Sequence, residues 1–176
     1  MSDLKGRKMV VLLAEMHEES EFWYPAIRLK EAGAEVIIAG KEAKTEYAGK
    51  SGLKAKSDVA YKDVSASGVD GVVIPGGFGP DFMRRSQECI SLVREICNQG
   101  KLVAFICHAG WVPISAGIVK GKKVTSFPTL RDDLVNAGAK WEDSELVRDG
   151  NLISSRNPGD LPAFMKGILN YLAAER

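Results

Sequence analysis

The chain has 176 residues, of which 45% are hydrophobic and 27% are charged, which is the composition of an ordinary globular domain. Its formal net charge of +1 and its lack of a lysine- and arginine-rich block argue against binding to nucleic acid or acidic lipid. The apolar run at 9–14 is too short to cross a bilayer, and three irregularly spaced cysteines are typical of a reduced chain. We therefore expect one cytoplasmic domain covering residues 1–176, with no disulfide framework and no membrane segment.

Short apolar runs alternate with longer amphipathic stretches in the first half of the chain. The predicted elements, in order, are a strand (8–14), a helix (18–32), a strand (34–40), a polar excursion with short strands near Leu53 and Val59 (41–67), and a strand ending in a Pro-Gly-Gly turn (70–77). The first helix is predicted from the spacing of Phe22, Ala26 and Leu29.

The second half continues the same alternation. Its predicted elements are a helix (81–99), a strand (101–106), a short helix closed by Gly117 (109–117), a strand (122–127), a helix (129–138), a hairpin with an Asp149-Gly150 turn (145–154) and a final helix (159–174). Alternation of this kind predicts a mostly parallel sheet with helices on both faces. Ligands in such sheets bind beyond the carboxyl ends of the strands, where the "PGGFGP" and "CHAG" loops are expected.

Cys107 directly follows the buried strand "LVAFI", and a helix begins at once. This is the strand–turn–helix context of a nucleophile elbow, which needs small neighbours such as Ala109. Backbone N–H groups at a helix start favour a thiolate and an oxyanion. The alternative is an inert buried cysteine at a strand end, as we expect for Cys89 and Cys97 inside their helix.

The chain has two histidines, His17 and His108, and neither lies far downstream of Cys107. A papain-like or α/β-hydrolase arrangement requires such a downstream histidine. A base for Cys107 must therefore be His108, His17, a carboxylate or a group from another chain. Adjacent side chains at a tight turn tend to diverge, so the sequence alone leaves the pairing of Cys107 with His108 open.

Carboxylates cluster after the first strand, at Glu15, Glu18, Glu19 and Glu21. One of them is a candidate partner for Cys107, although acidic residues at a helix start more often form a solvated face. Two histidines far apart give no recognisable metal-ligand spacing, so we expect neither a metal nor another cofactor. Gly76 and Gly77 match no phosphate-binding fingerprint, and we interpret them as an oxyanion site or site wall rather than a plain turn. We assign Ala109, two residues after Cys107, to the same oxyanion site or site wall.

The segments "VVIPGG", "AFICHAGWVPISAG", "VTSFPTLRDDLVNAGAKW" and "SSRNPGDLPAFM" together resemble the PfpI-type cysteine peptidases and protein deglycases of the class I glutamine-amidotransferase-like superfamily. The resemblance covers roughly residues 8 to 172. It implies a flavodoxin-like three-layer α/β sandwich with Cys107 at the elbow.

The resemblance also implies roles for other residues. The glutamate that hydrogen-bonds the sulfur matches Glu18. The acidic residue that a neighbouring subunit supplies to His108 matches Asp81, which is one methylene shorter than the usual glutamate. Such relatives form dimers and hexamers, so a homo-oligomer with a shared active site is implied.

Two classes of function remain open from the sequence. The first is a cysteine hydrolase, acting on a peptide or on a glycated adduct of the methylglyoxal type, with Cys107, His108, Glu18 and Asp81 as its catalytic residues. The second is a non-hydrolytic stress protein, either a redox sensor with an oxidisable Cys107 or a chaperone.

Overall fold

The computed structural model describes residues 4–174. Its strands are β1 (Lys8–Leu12), β2 (Glu35–Gly40), β3 (Glu46–Ala48), β4 (Lys54–Lys56), β5 (Val59–Ala60), β6 (Gly71–Ile74), β7 (Leu102–Ile106), β8 (Lys123–Val124), β9 (Lys140–Trp141), β10 (Val147–Asp149) and β11 (Leu152–Ser155). Its α-helices are α1 (Glu19–Glu31), α2 (Gly79–Arg84), α3 (Gln87–Asn98), α4 (Trp111–Ala116), α5 (Arg131–Asn136) and α6 (Leu161–Ala174).

The main sheet has the strand order β10-β11-β7-β6-β1-β2-β5. All its neighbouring strands run parallel except β10, which pairs antiparallel with β11. This confirms the predicted mostly parallel sheet. None of the helices within residues 4–174 is long and apolar enough to span a bilayer.

Alternate residues of the central strands enter two separate cores, because successive side chains of a strand point to opposite faces. Val10, Val72 and Val103 pack with α3, α4 and α5 on one face. Met9 and Val11 pack on the other face with the apolar sides of α1 and α6. Two helical layers around one sheet make the three-layer flavodoxin-like sandwich that the family resemblance implied.

Three local predictions differ from the structure. The helix predicted at 81–99 is two helices, because the Ser86 side chain accepts a hydrogen bond from the Cys89 N–H and caps a new helix, α3. The strand predicted at 122–127 shrinks to β8, which pairs with β9 outside the main sheet. In the hairpin, Asp149 pairs with Leu152, so Gly150 and Asn151 form the turn instead of Asp149 and Gly150.

β1, β6 and β7 are neighbours in the sheet and run in one direction. Their carboxyl ends therefore meet at one edge. The loop at 13–18, the Pro-Gly-Gly turn and the Cys107 turn leave from this edge, so the fold gathers three distant segments of sequence.

Candidate functional site

Cys107 lies at an abrupt turn between β7 and a 3-10 turn (Cys107–Gly110) that runs directly into α4. Its φ of 61° is left-handed, a conformation that costs an ordinary residue about 1–2 kcal/mol. The backbone N–H group of His108 in this turn and that of Gly77 in the Pro-Gly-Gly turn both hydrogen-bond the sulfur. The predicted elbow geometry is therefore present, and backbone strain is concentrated at its cysteine.

Gly76 and Gly77 fit a space that admits no side chain. A Cβ on Gly76 would lie 2.6 Å from Glu21 Oε2 and 2.8 Å from Cys107 Cβ. A Cβ on Gly77, where φ is 75°, would lie 2.5 Å from the backbone nitrogen of Glu18. The glycines thus let the Pro-Gly-Gly turn approach the acidic loop and the sulfur, as expected for a site wall.

The carboxyl beside the sulfur belongs to Glu21, not to Glu18. Glu21 is fully buried, its Oε2 accepts a hydrogen bond from the Gly76 N–H at 2.8 Å, and its carboxyl hydrogen-bonds the Cys107 side chain. Glu18 instead forms an ion pair with Lys50 and accepts a hydrogen bond from Ser20 Oγ at 2.9 Å. The assignment of the sulfur's partner to Glu18 is wrong, because Glu18 precedes α1 and turns toward the hairpin between β3 and β4.

A signal for Glu21 was present in the sequence. The buried face of α1 comprises Glu21, Phe22, Pro25, Ala26 and Leu29. Extending the spacing of its apolar members one step back reaches position 21, so helical periodicity places this carboxyl on the inward face. A buried carboxylate among apolar residues is unusual and marks a functional candidate.

Burial raises the pKa of Glu21 to about 7, and the nearby Glu18 charge adds to the rise while the Gly76 hydrogen bond opposes it. Burial, together with the Glu21 charge, raises the pKa of the Cys107 thiol to about 12. The expected lowering of the thiol pKa by the helix start is wrong for this chain, because the two backbone N–H donors are outweighed. The two groups repel each other when both are charged, so they titrate as a pair.

The His108 ring does not diverge from Cys107. Its Nδ1 lies 3.2 Å from Cys107 Sγ, and its Nε2 lies 3.5 Å from Thr129 Oγ1. The ring stacks on Phe127 at a centroid distance of 4.8 Å and meets Trp111 at 5.5 Å. Burial, with a contribution from the Lys50 charge, lowers the pKa of His108, which favours the neutral imidazole that can accept a proton.

A pocket of about 420 Å³ opens over the sulfur. Its lining is mostly apolar and consists of Met16, Glu18, Lys50, Gly77, Phe78, Cys107, His108, Trp111, Phe127 and Pro158. The size is within the range of small-molecule sites. Within residues 4–174, no three His, Cys, Asp or Glu side chains are grouped as a metal site requires.

Three predicted site residues are not part of this pocket's lining: Gly76, which lies against Glu21 and Cys107, Ala109 and Asp81. The Ala109 side chain is fully buried in the core that contains α3 and α4, so its interpretation as a site wall is wrong. Asp81 lies in α2 and is ion-paired with Arg85 of the same chain. The predicted contact of Asp81 with His108 concerns a second subunit and stays a prediction.

The other two cysteines differ from Cys107 in their surroundings. Cys89 is fully buried in α3, and burial raises the pKa of its thiol. Cys97 is half-buried near Asn151, and burial raises its pKa as well. In the part of the chain that the structure describes, neither cysteine is hydrogen-bonded to a histidine and a carboxyl as Cys107 is, which agrees with a packing role.

A parallel α/β sandwich with a strained cysteine at a strand end, flanked by a histidine and a buried carboxyl, defines the elbow-nucleophile class of α/β proteins. Residues 7–171 match the model of the DJ-1/PfpI family. The chain belongs to the DJ-1/PfpI family.

Named relatives and solved structures resemble the chain over most of its length. It is 43% identical to "Deglycase PfpI" of Pyrococcus furiosus, over 94% of this chain and 99% of that protein. It is 39% identical to "Putative cysteine protease YraA" of Bacillus subtilis, over 95% and 99%. These names support an enzymatic role of hydrolase or deglycase type.

One solved structure is a two-domain protein of Anabaena variabilis with DJ-1/ThiJ/PfpI-like and ferritin-like domains. It superposes with a TM-score of 0.93 at 43% identity, over 94% of this chain. The chain spans about half of that protein, 48% of its length.

Proposed function

We propose that the protein is a cysteine-dependent hydrolase of the deglycase type, with Cys107 as the nucleophile, His108 as the proton carrier and Glu21 as the carboxyl that stabilises the sulfur. The observation that carries this proposal is the left-handed Cys107, whose Sγ lies 3.2 Å from His108 Nδ1 and against a buried carboxyl. An inert buried cysteine requires neither the strain nor these two neighbours.

The first half of the proposed reaction forms a bond to sulfur. The thiol proton moves to His108 Nδ1, and Glu21 keeps its own proton and donates a hydrogen bond to the resulting thiolate. The sulfur attacks a carbonyl carbon, and the electron pair of the C=O bond moves to the oxygen. The N–H groups of Gly77 and His108, which hydrogen-bond the sulfur, are placed to stabilise the charge on this oxygen.

The second half returns the enzyme to its resting state. Protonated His108 gives its proton to the departing amine or thiol of the substrate. A water molecule then loses a proton to His108 and attacks the same carbon, so the C–S bond breaks and Cys107 is freed. Glu21, with a pKa near neutrality, is suited to holding a proton at the sulfur during these steps.

The proposed substrate is a small adduct of a dicarbonyl such as methylglyoxal with a thiol or amine. The ketone carbon of such an adduct carries no leaving group, so neutral His108 first moves the proton of the carbinol carbon to the neighbouring ketone carbon, and the carbinol carbon becomes the carbonyl of a thioester or amide. This carbonyl carbon bears the departing thiol or amine, and it is the carbon that Cys107 attacks in the steps above. The pocket of about 420 Å³ accommodates such a molecule, and the deglycase name of the Pyrococcus relative supports the same class. The second substrate class is a peptide, which the putative cysteine protease relative favours.

Parallel assays of one preparation separate these alternatives. We expect hydrolysis of a methylglyoxal–thiol adduct and a slower reaction or none with a fluorogenic peptide. Cys107→Ser is expected to lower the adduct activity by at least about a thousandfold, the scale on which loss of a nucleophile acts. Unchanged activity in Cys107→Ser would remove the proposed function, and Cys89→Ser is the matched control expected to keep it.

We propose in addition that a second copy of the chain completes the site through Asp81. Phe78 and Met16 line the pocket while remaining 54% and 44% exposed, and Asp81 follows Phe78 by less than one helical turn. Mixing inactive Cys107→Ser with inactive Asp81→Asn is expected to restore activity, because a mixed oligomer then contains one intact site. No restoration by mixed oligomers verified by native mass would refute the shared site.

The alternative is redox sensing by Cys107. The Glu21 carboxyl is placed to donate a hydrogen bond to an oxidised sulfur, and this observation favours the alternative. Intact mass after peroxide treatment tests it, and oxidation of Cys107 no faster than of half-buried Cys97 would exclude it.

A further inference from the structure

The turn between β3 and β4 is held against the acidic loop by a set of backbone hydrogen bonds. The Lys50 N–H donates to the His17 carbonyl at 3.0 Å, and the neighbouring Ser51 N–H donates to Glu19 Oε1 at 2.6 Å. A Cβ on Gly49 would overlap Glu19 Oε1, so a larger residue would have to displace the Glu19 carboxylate from the position where it accepts the Ser51 hydrogen bond. The backbone of Lys50 is therefore fixed relative to α1, which carries Glu21.

The Lys50 side chain reaches the Cys107 pocket from this turn. Its ammonium forms an ion pair with Glu18, and both side chains line the pocket together with Cys107 and His108. The Lys50 side chain is 51% exposed, whereas that of Glu18 is 13% exposed. Solvent therefore screens the lysine more than its partner, and the pair forms the charged part of an otherwise apolar wall.

Glu18 and Lys50 act in opposite directions on the pair formed by Glu21 and Cys107. The Glu18 charge raises the pKa of Glu21, and the Lys50 charge lowers it. Glu21 and Cys107 in turn help to raise the pKa of Lys50, after the larger effect of its hydrogen bond with Glu18. Lys50 also contributes to the lowered pKa of His108.

We propose that Lys50 is a positioning residue for the Cys107 nucleophile, offsetting the Glu18 carboxylate so that the Glu21–Cys107 pair holds one negative charge at neutral pH. The proposal rests on the proposed function of Cys107 as a nucleophile. Without Lys50, the negative charge of Glu18 would act on Glu21 unopposed, so the Glu21–Cys107 pair would keep both of its protons up to a higher pH. Without Glu18, the Glu21–Cys107 pair would lose the first of these protons at a lower pH.

The test is the pH dependence of Cys107 alkylation by iodoacetamide, followed by peptide mass, because this readout does not require substrate turnover. Lys50→Met is expected to move the midpoint of the alkylation rate upward by roughly half a pH unit, and Glu18→Gln to move it downward by a similar amount. The Lys50 charge also acts on His108, so Lys50→Met should raise the pKa of His108 as well. The double variant is expected to return close to the wild-type midpoint, and Lys50→Arg to keep it.

The shifts should shrink in 1 M salt, where the Debye length falls to about 3 Å. The pH profile of kcat/KM for the adduct is expected to move with the alkylation midpoint. Lys54→Met is the matched control, because Lys54 forms an exposed ion pair with Glu46 on the same hairpin and lies outside the pocket.

The role of Lys50 would be overturned if Lys50→Met and Glu18→Gln moved the alkylation midpoint in the same direction or if neither moved it. It would also be overturned if Lys54→Met moved the midpoint as far as Lys50→Met does. These outcomes leave the proposed function standing if Cys107→Ser is inactive. Activity in Cys107→Ser would instead remove the proposed function itself, so the two failures are distinguishable.

Discussion

The carboxyl edge of the sheet, together with the Glu21 turn of α1 that packs against it, and the helix α6 have opposite characters. Within residues 4–174, the non-glycine residues with positive φ are Met16, Lys44 and Cys107, and two of these line the pocket. The α6 layer consists instead of regular apolar contacts, such as those of Phe164 and Ile168 with the sheet. The α6 contacts stabilise the fold. The carboxyl edge holds backbone strain and the buried Glu21 carboxyl, whose cost the stability of the rest of the fold offsets.

The largest expected effect tests the stabilising layer. Phe164 is fully buried, and Phe164→Ala should reduce the free energy of unfolding by about 3–5 kcal/mol, because it removes apolar contact and leaves a cavity. Activity per folded molecule should not change. Urea denaturation and active-site titration check this, and a large loss of activity in the folded variant would contradict the separation of the two regions.

Glu21→Gln tests the cost of the buried carboxyl. The folded pKa of Glu21 is about 7, above the ordinary 4.5, so the folded state binds the proton more tightly than the unfolded state. The contribution of Glu21 to the free energy of unfolding is fully present below the ordinary pKa. It decreases by about 3 kcal/mol in all as pH rises to about 7.

The side chain at position 21 of Glu21→Gln cannot ionise, so it should not lower the free energy of unfolding as pH rises. The stability of the variant relative to the wild type should therefore increase between pH 4.5 and pH 7. Urea denaturation across this range measures the gain. Parallel curves for the two proteins would show that Glu21 does not titrate abnormally.

Gly77→Ala and Gly117→Ala form a matched pair that tests the carboxyl edge, because Gly77 lines the pocket whereas Gly117 ends α4 and lies outside the pocket. Both glycines have positive φ, 75° and 71°, but a Cβ on Gly117 meets nothing within 4 Å, whereas one on Gly77 meets backbone atoms. Gly77→Ala should therefore be less stable than Gly117→Ala by about 1–3 kcal/mol, the usual cost of overpacking. It should also lose activity, since its N–H faces the sulfur. Equal unfolding midpoints of the two variants would show that the Pro-Gly-Gly turn accommodates a Cβ at position 77 without loss of stability.

The smallest effect measures the strain at the elbow directly. Cys107→Gly should be more stable than Cys107→Ala by about 0.5–1 kcal/mol, because glycine adopts the left-handed conformation freely and this gain exceeds its entropy loss. Both variants lack the thiol, so the difference reports the backbone conformation, reduced by the packing of the one methyl group that alanine keeps. Thermal unfolding of the two variants provides the measurement, and a more stable alanine variant would contradict strain at position 107.

Local pattern was sufficient for most elements because their signals are periodic. Phe22, Ala26 and Leu29 predicted α1, and the apolar runs predicted β1, β2, β6 and β7. The break at Ser86 was missed because a helix that restarts keeps an apolar face on both sides of the break. The 122–127 strand was overextended because a short apolar run does not specify which sheet will accept it.

The sequence by itself determined the layered α/β fold, the elbow context of Cys107 and the presence of a carboxylate cluster after the first strand. Strand and helix periodicities are local, so they can be recognised within a few residues. Only the tertiary structure decided that Glu21, not Glu18, reaches the sulfur, that His108 stays beside it, and that Lys50 enters the pocket from a distant hairpin. These choices depend on distances between segments that the parallel sheet brings to one edge, and no local pattern contains them.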